Sequence, residues 1–257
     1  MQPKIIYSRF PQSWNLSANF LAAFIIFLGT GIALFAGWLD LPVAVFVFVL
    51  AGWIVSLCLH EGAHALAAYW GGDRSVSAKG YLSLEPLAYA QPFLSFGLPL
   101  LYLILGGIGL PGGAVSIDHG VLRNKHWQAF VSAAGPLTNL VFLIILTLPF
   151  LLGLADDDSR FWQAAALLGA LQASAVVLNL LPIPGLDGFG ILRPYLPRDM
   201  QLQANQIAPM LSVLLLMMFT SHSANSALWR AVFELTDFFS VDRFLIHEGW
   251  NSFRFWM

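Results

Sequence analysis

Five long stretches of the chain are almost continuously apolar: about Ala18 to Leu39, Leu41 to Trp70, Ala129 to Ala155, Phe161 to Leu181 and Gln203 to Thr220. A helix rises ~1.5 Å per residue, so about 20 apolar residues cross the hydrocarbon core of a bilayer, and each stretch predicts one spanning helix. A sixth stretch, Phe93 to Leu110, is apolar but carries Gly97, Pro99, Gly106, Gly107 and Gly109, which bend or interrupt helices. Beyond the last span, Leu228, Val232, Leu235 and Phe239 recur on one helical face, with Arg230, Glu234 and Asp237 as polar positions. This tail, Ala227 to Met257, also holds Trp229, Trp250 and Trp256, and reads as an amphipathic interfacial helix. The expected fold is an all-α polytopic membrane protein with five to six transmembrane helices, residues 1–257 forming a single integral membrane domain.

Loop charge orients the spans. Lys4 and Arg9 put the N-terminus on the cytoplasmic side, and the run that follows is too long for a cleaved signal, so it reads as a retained anchor. If Phe93 to Leu110 dips in and returns, Arg74, Lys79, Arg123, Lys125, Arg193 and Arg198 all face the cytoplasm, and the acidic turn Asp156, Asp157, Asp158 faces out. A full crossing would strand Arg193 and Arg198 outside, so a re-entrant segment is expected. Composition agrees with the class: 58% of residues are hydrophobic and only 10% charged, too few to cover a soluble surface. The net charge of −2 and the lack of a basic patch exclude a nucleic-acid partner. The single cysteine, Cys58, excludes an internal disulfide and any multi-cysteine metal site.

The sharpest chemical signal is His60-Glu61-Gly62-Ala63-His64, late in the second stretch. Residues four apart lie nearly above one another on a helix, so both imidazoles can reach one zinc at ~2.0–2.1 Å. Glu61 then stands beside the metal-bound water as a general base and acid. Three ionisable groups within five residues of a spanning helix are costly and mark a functional site. Catalytic zinc usually takes three protein ligands, and Asp187 is the best third candidate at this depth. Pro182 and Pro184 unwind the chain ahead of it, and Gly185 and Gly188 let it turn closely. The alternative is an ordinary interfacial loop with a solvated aspartate. In Ala134-Gly135-Pro136-Leu137-Thr138-Asn139, small residues permit close helix contact. Asn139 there either bridges helices or donates to a substrate carbonyl or oxyanion. His119 and His126 have no ligand spacing and read as loop residues.

Together these elements resemble the site-2 protease family of intramembrane metalloproteases. That family pairs HExxH with N-x-x-P-x-P-x-L-D-G two core helices later, matched here by His60 to His64 and Asn179 to Gly188. The A-G-P-x-x-N element matches Ala134 to Asn139, and Gly80 to Leu87 looks like the family's short β-hairpin segment. The resemblance covers roughly Leu41 to Leu192, the expected core. It departs where Glu85 stands for a common asparagine and Gln91 for a common aspartate. The chain reads as the type without a PDZ domain between the motifs or a CBS domain after the spans.

The resemblance implies His60, His64 and Asp187 as ligands of one Zn2+ per chain and Glu61 as catalytic base. It also implies that Asn139 and Asn179 help to hold an unwound substrate strand, with Asn139 also counted as catalytic. The site would lie within the bilayer toward the cytoplasmic side of a multi-pass cell-membrane protein. The function expected is an intramembrane zinc endopeptidase performing regulated intramembrane proteolysis of single-pass or signal-peptide-derived segments. The alternative is a zinc-binding membrane protein without proteolytic activity. A prenyl-protein-processing protease would take a downstream glutamate as third ligand, and Glu234 and Glu248 offer no suitable motif.

Overall fold

The computed structural model describes residues 15–88, 115–218 and 221–257. The expected re-entrant stretch, Phe93 to Leu110, lies outside the described residues. Helices α1 (Ala18–Phe35), α2 (Pro42–Gly71), α4 (Lys125–Leu151) and α5 (Arg160–Asn179) are the described helices long and apolar enough to cross a membrane. Between and after them come α3 (Ser75–Ala78), α6 (Asp187–Leu192), α7 (Arg198–Met218), α8 (His222–Phe238) and α9 (Arg243–Phe253). The helix starts are written in the sequence. Ser17 Oγ accepts from Phe20 N, Asn124 Oδ1 accepts from Trp127 N, and Pro42 opens α2, where a missing N–H costs nothing.

The stretch Gln203 to Thr220 corrects the expected count of five to six spans. It lies largely within α7, but Gln201, Gln203, Asn205 and Gln206 make the first half of that helix too polar to qualify. The β-hairpin is a second correction. Among the described residues there is no strand, and Gly80 to Leu87 forms 3-10 turns at Tyr81–Ser83 and Pro86–Ala88. Gly80 (φ 77°) and Leu84 (φ 57°) are both left-handed, which breaks the alternation a ladder needs. The polar groups pair elsewhere: the Ser83 carbonyl accepts from Ser17 N at 2.8 Å, and Asn19 Nδ2 donates to Glu85 at 2.9 Å. The turn segment is thus fastened to the start of α1.

Helix α2 lies at the centre, packed against α1, α4, α5 and α9. Close approach is made possible by missing side chains, as at Gly52, where a Cβ would meet Leu168 at 2.6 Å and Phe27 at 2.8 Å. The outer faces remain apolar: Ile25 and Ile32 on α1 and Val141 and Ile145 on α4 are exposed, as lipid-facing positions should be. The tail differs from the lone interfacial helix expected. It forms α8 and α9, joined through Ser240 at φ 58°, and buries Leu228, Val232, Leu245 and Ile246 against Trp162, Ala165 and Ala166 of α5.

Helices α2 and α4 meet end to start, since Arg123 N donates to the Gly71 carbonyl at 2.9 Å. The chain therefore leaves α2 and enters α4 at the same end of the bundle. At the opposite end Arg160, at the start of α5, pairs with Asp40 before α2 and donates to Ser252 of α9. Helices α2 and α5 thus run the same way with α4 antiparallel between them, which brings the last part of α2 and the loop after α5 to one level.

Candidate metal centre

His60 and His64 lie on one face of α2, buried at 7% and 6% exposure. Seven residues separate His64 from the end of α2, so the pair sits about 10 Å inside the helix end. Asp187 arrives from the other side. Helix α5 stops after Asn179, Pro182 and Pro184 hold the chain out of helix, and Gly185 turns at φ 104°. Gly188 then allows α6 to start against the end of α5, since a Cβ there would lie 2.3 Å from the Leu180 carbonyl oxygen.

These elements bring three ligand atoms together. His60 Nε2 and His64 Nε2 are 3.0 Å apart, and Asp187 Oδ2 lies 3.3 Å from the first and 3.4 Å from the second. Ligands at ~2.0–2.1 Å from a tetrahedral zinc stand about 3.3 Å apart, close to the spacing found here. The ring tautomers fit as well. His64 Nδ1 donates to the Val131 carbonyl at 2.6 Å and His60 Nδ1 to Asn139 Oδ1, leaving both Nε2 lone pairs free for a metal. Charge completes the match: the Asp187 and Glu61 carboxylates among apolar helices call for a cation, and a dication balances both.

Helix α4 closes the fourth side with an absence. At Gly135 a Cβ would stand 2.2 Å from His64 Nε2 and 2.5 Å from His60 Nε2, in the space the metal needs. The sequence marked Gly135 only as small, and spacing alone could not reveal this role.

Glu61 is 3% exposed, and its Oε2 accepts from Val115 N at 3.2 Å. The segment carrying Val115 is itself pinned. Buried Asp73 accepts from Asp118 N at 2.8 Å and from Ser75 N and Oγ, and Lys79 Nζ donates to the Ser116 carbonyl at 2.7 Å. Sequence reading passed over Asp73, whose only signal was a carboxylate beside a helix end.

Both asparagines are buried. Asn139 is 4% exposed, and its amide nitrogen donates to Ser56 Oγ and Gln172 Oε1, each at 2.9 Å. Asn179 is buried at the end of α5. A cleft of about 400 Å³ opens beside Asp187, between α4 and α7, and neither asparagine lines it. Its walls include Ser132, Pro184, Gly190, Arg193 and Ala204. Nearby, burial and then the Arg193 charge hold the His119 imidazole below its ordinary value. His126 Nδ1 lies 2.9 Å from the Tyr195 hydroxyl, away from the metal ligands.

The helices and this cluster define a multi-pass membrane protein with a metal centre. A protein of Mycolicibacterium smegmatis named "Putative zinc metalloprotease Rip2" is 41% identical over 224 residues, 83% of this chain and 82% of the relative. The Mycobacterium tuberculosis protein of the same name is 41% identical over 232 residues, 89% of each chain. A Bacillus subtilis protein named "Putative zinc metalloprotease YwhC" is 26% identical over 196 residues, 73% of this chain and 87% of that protein. No known family profile matches, and no solved structure matches. The chain belongs to the site-2 protease family of zinc metalloproteases.

Proposed function

We propose that this chain is an intramembrane zinc endopeptidase that cuts single-pass or signal-peptide-derived transmembrane segments near the cytoplasmic side of the bilayer. The observation that carries the reading is the triangle of His60 Nε2, His64 Nε2 and Asp187 Oδ2, held at 3.0 to 3.4 Å between membrane-crossing helices. Zinc held by His60, His64 and Asp187 would supply Lewis acidity and make a neighbouring water a stronger acid. Glu61 takes the proton of the attacking water and hands it to the leaving amine, while the Val115 N–H fixes the direction of its carboxylate. Helical peptide bonds are satisfied within their own helix, so a substrate must unwind before it reaches Glu61. The cleft beside Asp187 is the space for that unwound strand. Asn139 acts beneath His60 rather than on the substrate, because its donors are engaged by Ser56 and Gln172.

The test is cleavage of a tagged single-pass segment by the purified chain in liposomes, wild type beside Glu61→Gln. Wild type should cut, and the variant should keep its zinc and lose cleavage. Full activity in Glu61→Gln would remove Glu61 from the mechanism. Zinc retention by a wild type that cuts no transmembrane segment would leave a zinc-binding membrane protein.

A further inference from the structure

Beneath the metal ligands, three polar side chains from three helices close on one another inside the bundle. They are Ser56 of α2, Asn139 of α4 and Gln172 of α5, exposed by 3%, 4% and 1%. Ser56 Oγ lies 2.6 Å from Gln172 Oε1, Asn139 Nδ2 lies 2.9 Å from each of these atoms, and Asn139 Oδ1 accepts from His60 Nδ1. Ser56 is one helical turn before His60 on α2, so the serine and the histidine face Asn139 together.

The directions of these bonds are linked. If Asn139 turned over, its amide nitrogen would face His60 and require a bare Nδ1, putting the ring proton on Nε2, where a metal ligand must have a lone pair. That inversion requires Gln172 to turn over as well and present nitrogen to Ser56. Gln172 stands with Oε1 toward both Ser56 Oγ and Asn139 Nδ2, the arrangement that leaves His60 Nε2 bare for a metal. The orientation then passes in one sense from Gln172 to Asn139 to His60.

We propose that Ser56 and Gln172 are positioning residues of the metal centre, acting through Asn139 to hold His60 with its Nε2 lone pair toward the metal. The proposal rests on the zinc-site reading above and adds residues that touch neither metal nor substrate. An unpaired polar group in this interior is expensive, so loss of one member leaves the others to find new partners. Outer partners of metal ligands typically change metal affinity by about 10- to 100-fold.

The experiment is chelator competition for zinc on the detergent-purified full chain, comparing wild type, Ser56→Ala, Gln172→Leu and Gln172→Glu, with visible absorption of the cobalt-substituted proteins as a second readout. Ser56→Ala and Gln172→Leu should weaken zinc by about 10- to 100-fold and alter the cobalt spectrum. Gln172→Glu, which keeps an oxygen facing Ser56 and Asn139, should recover most of the affinity. Should Gln172→Leu fail to fold, Ser56→Ala, the smaller truncation, carries the same expectation. Wild-type affinity and spectrum in Ser56→Ala, with zinc bound by the wild type, would overturn the positioning role and leave the metal site standing. A folded wild type that takes up no zinc would overturn both.

Discussion

Replacing Gly135 by alanine would put a methyl group 2.2 Å from His64 Nε2, and neither imidazole can easily swing away, since Asn139 and the Val131 carbonyl fix both rings at Nδ1. Overpacking typically costs about 1–3 kcal/mol, borne by the folded chain with or without metal, and it is relieved only if the two rings leave the positions from which they would hold zinc. Gly135→Ala is therefore expected to fold and lose zinc, measured by metal content after dialysis. Gly29→Ala, with nothing within 4 Å of the new atom, should match the wild type. Equal zinc in both variants would show that α4 does not crowd the site. Residue by residue, legibility followed distance along the chain. His60 and His64 are four apart on one helix, so their convergence is local geometry and could be read directly. Asp187 reaches them only through tertiary packing, and it was the resemblance that singled it out from a solvated loop aspartate. Gln172 could not be recognised at all: one amide in an apolar run gives no hint that a serine and an asparagine from two other helices close on it.

Among the elements, the turn from α5 into α6 has the least room. At Gly188 a Cβ would stand 2.3 Å from one carbonyl oxygen and 2.4 Å from its carbon, both backbone atoms of Leu180, so relief requires α6 to move and carry Asp187 with it. Gly188→Ala should lower the unfolding midpoint of the chelator-treated protein, a loss on the order of 1–3 kcal/mol, with tryptophan fluorescence as the probe. A midpoint equal to the wild type would mean that this turn has slack. The helices of the core were legible because each is a long apolar run, and the observed α2 and α5 lie within two residues of the stretches that predicted them. Gly80 to Leu87 was misread for a physical reason. The resemblance alone implied a hairpin there, yet Leu84 takes a left-handed conformation that leucine rarely adopts. Its side chain lies over Gly62, where a Cβ would meet Leu84 Cδ2 at 2.1 Å, so a contact distant in sequence overrides local preference.

For the whole molecule, the two clasps at opposite ends, Arg123 N on the Gly71 carbonyl and Arg160 with Asp40, allow one arrangement of α2, α4 and α5. The orientation we propose places Lys79 and Arg123 on the cytoplasmic face and Asp157 on the other. Cysteine labelling checks it with little background, because the natural cysteine, Cys58, is buried. In intact cells Asp157→Cys should react with an impermeant maleimide and Lys79→Cys should not; the reverse pattern would invert the topology.

The ligands also come from opposite parts of the core, and this has a consequence in time. A ribosome adding ~5–20 residues per second needs roughly 6 to 25 s to pass from His64 to Asp187, some 120 residues later. During that interval the nascent chain holds both histidines but not the aspartate. It can assemble the three-residue site only when α5 has been inserted and the turn behind it has closed, so the metal centre forms last, after the helices that enclose it.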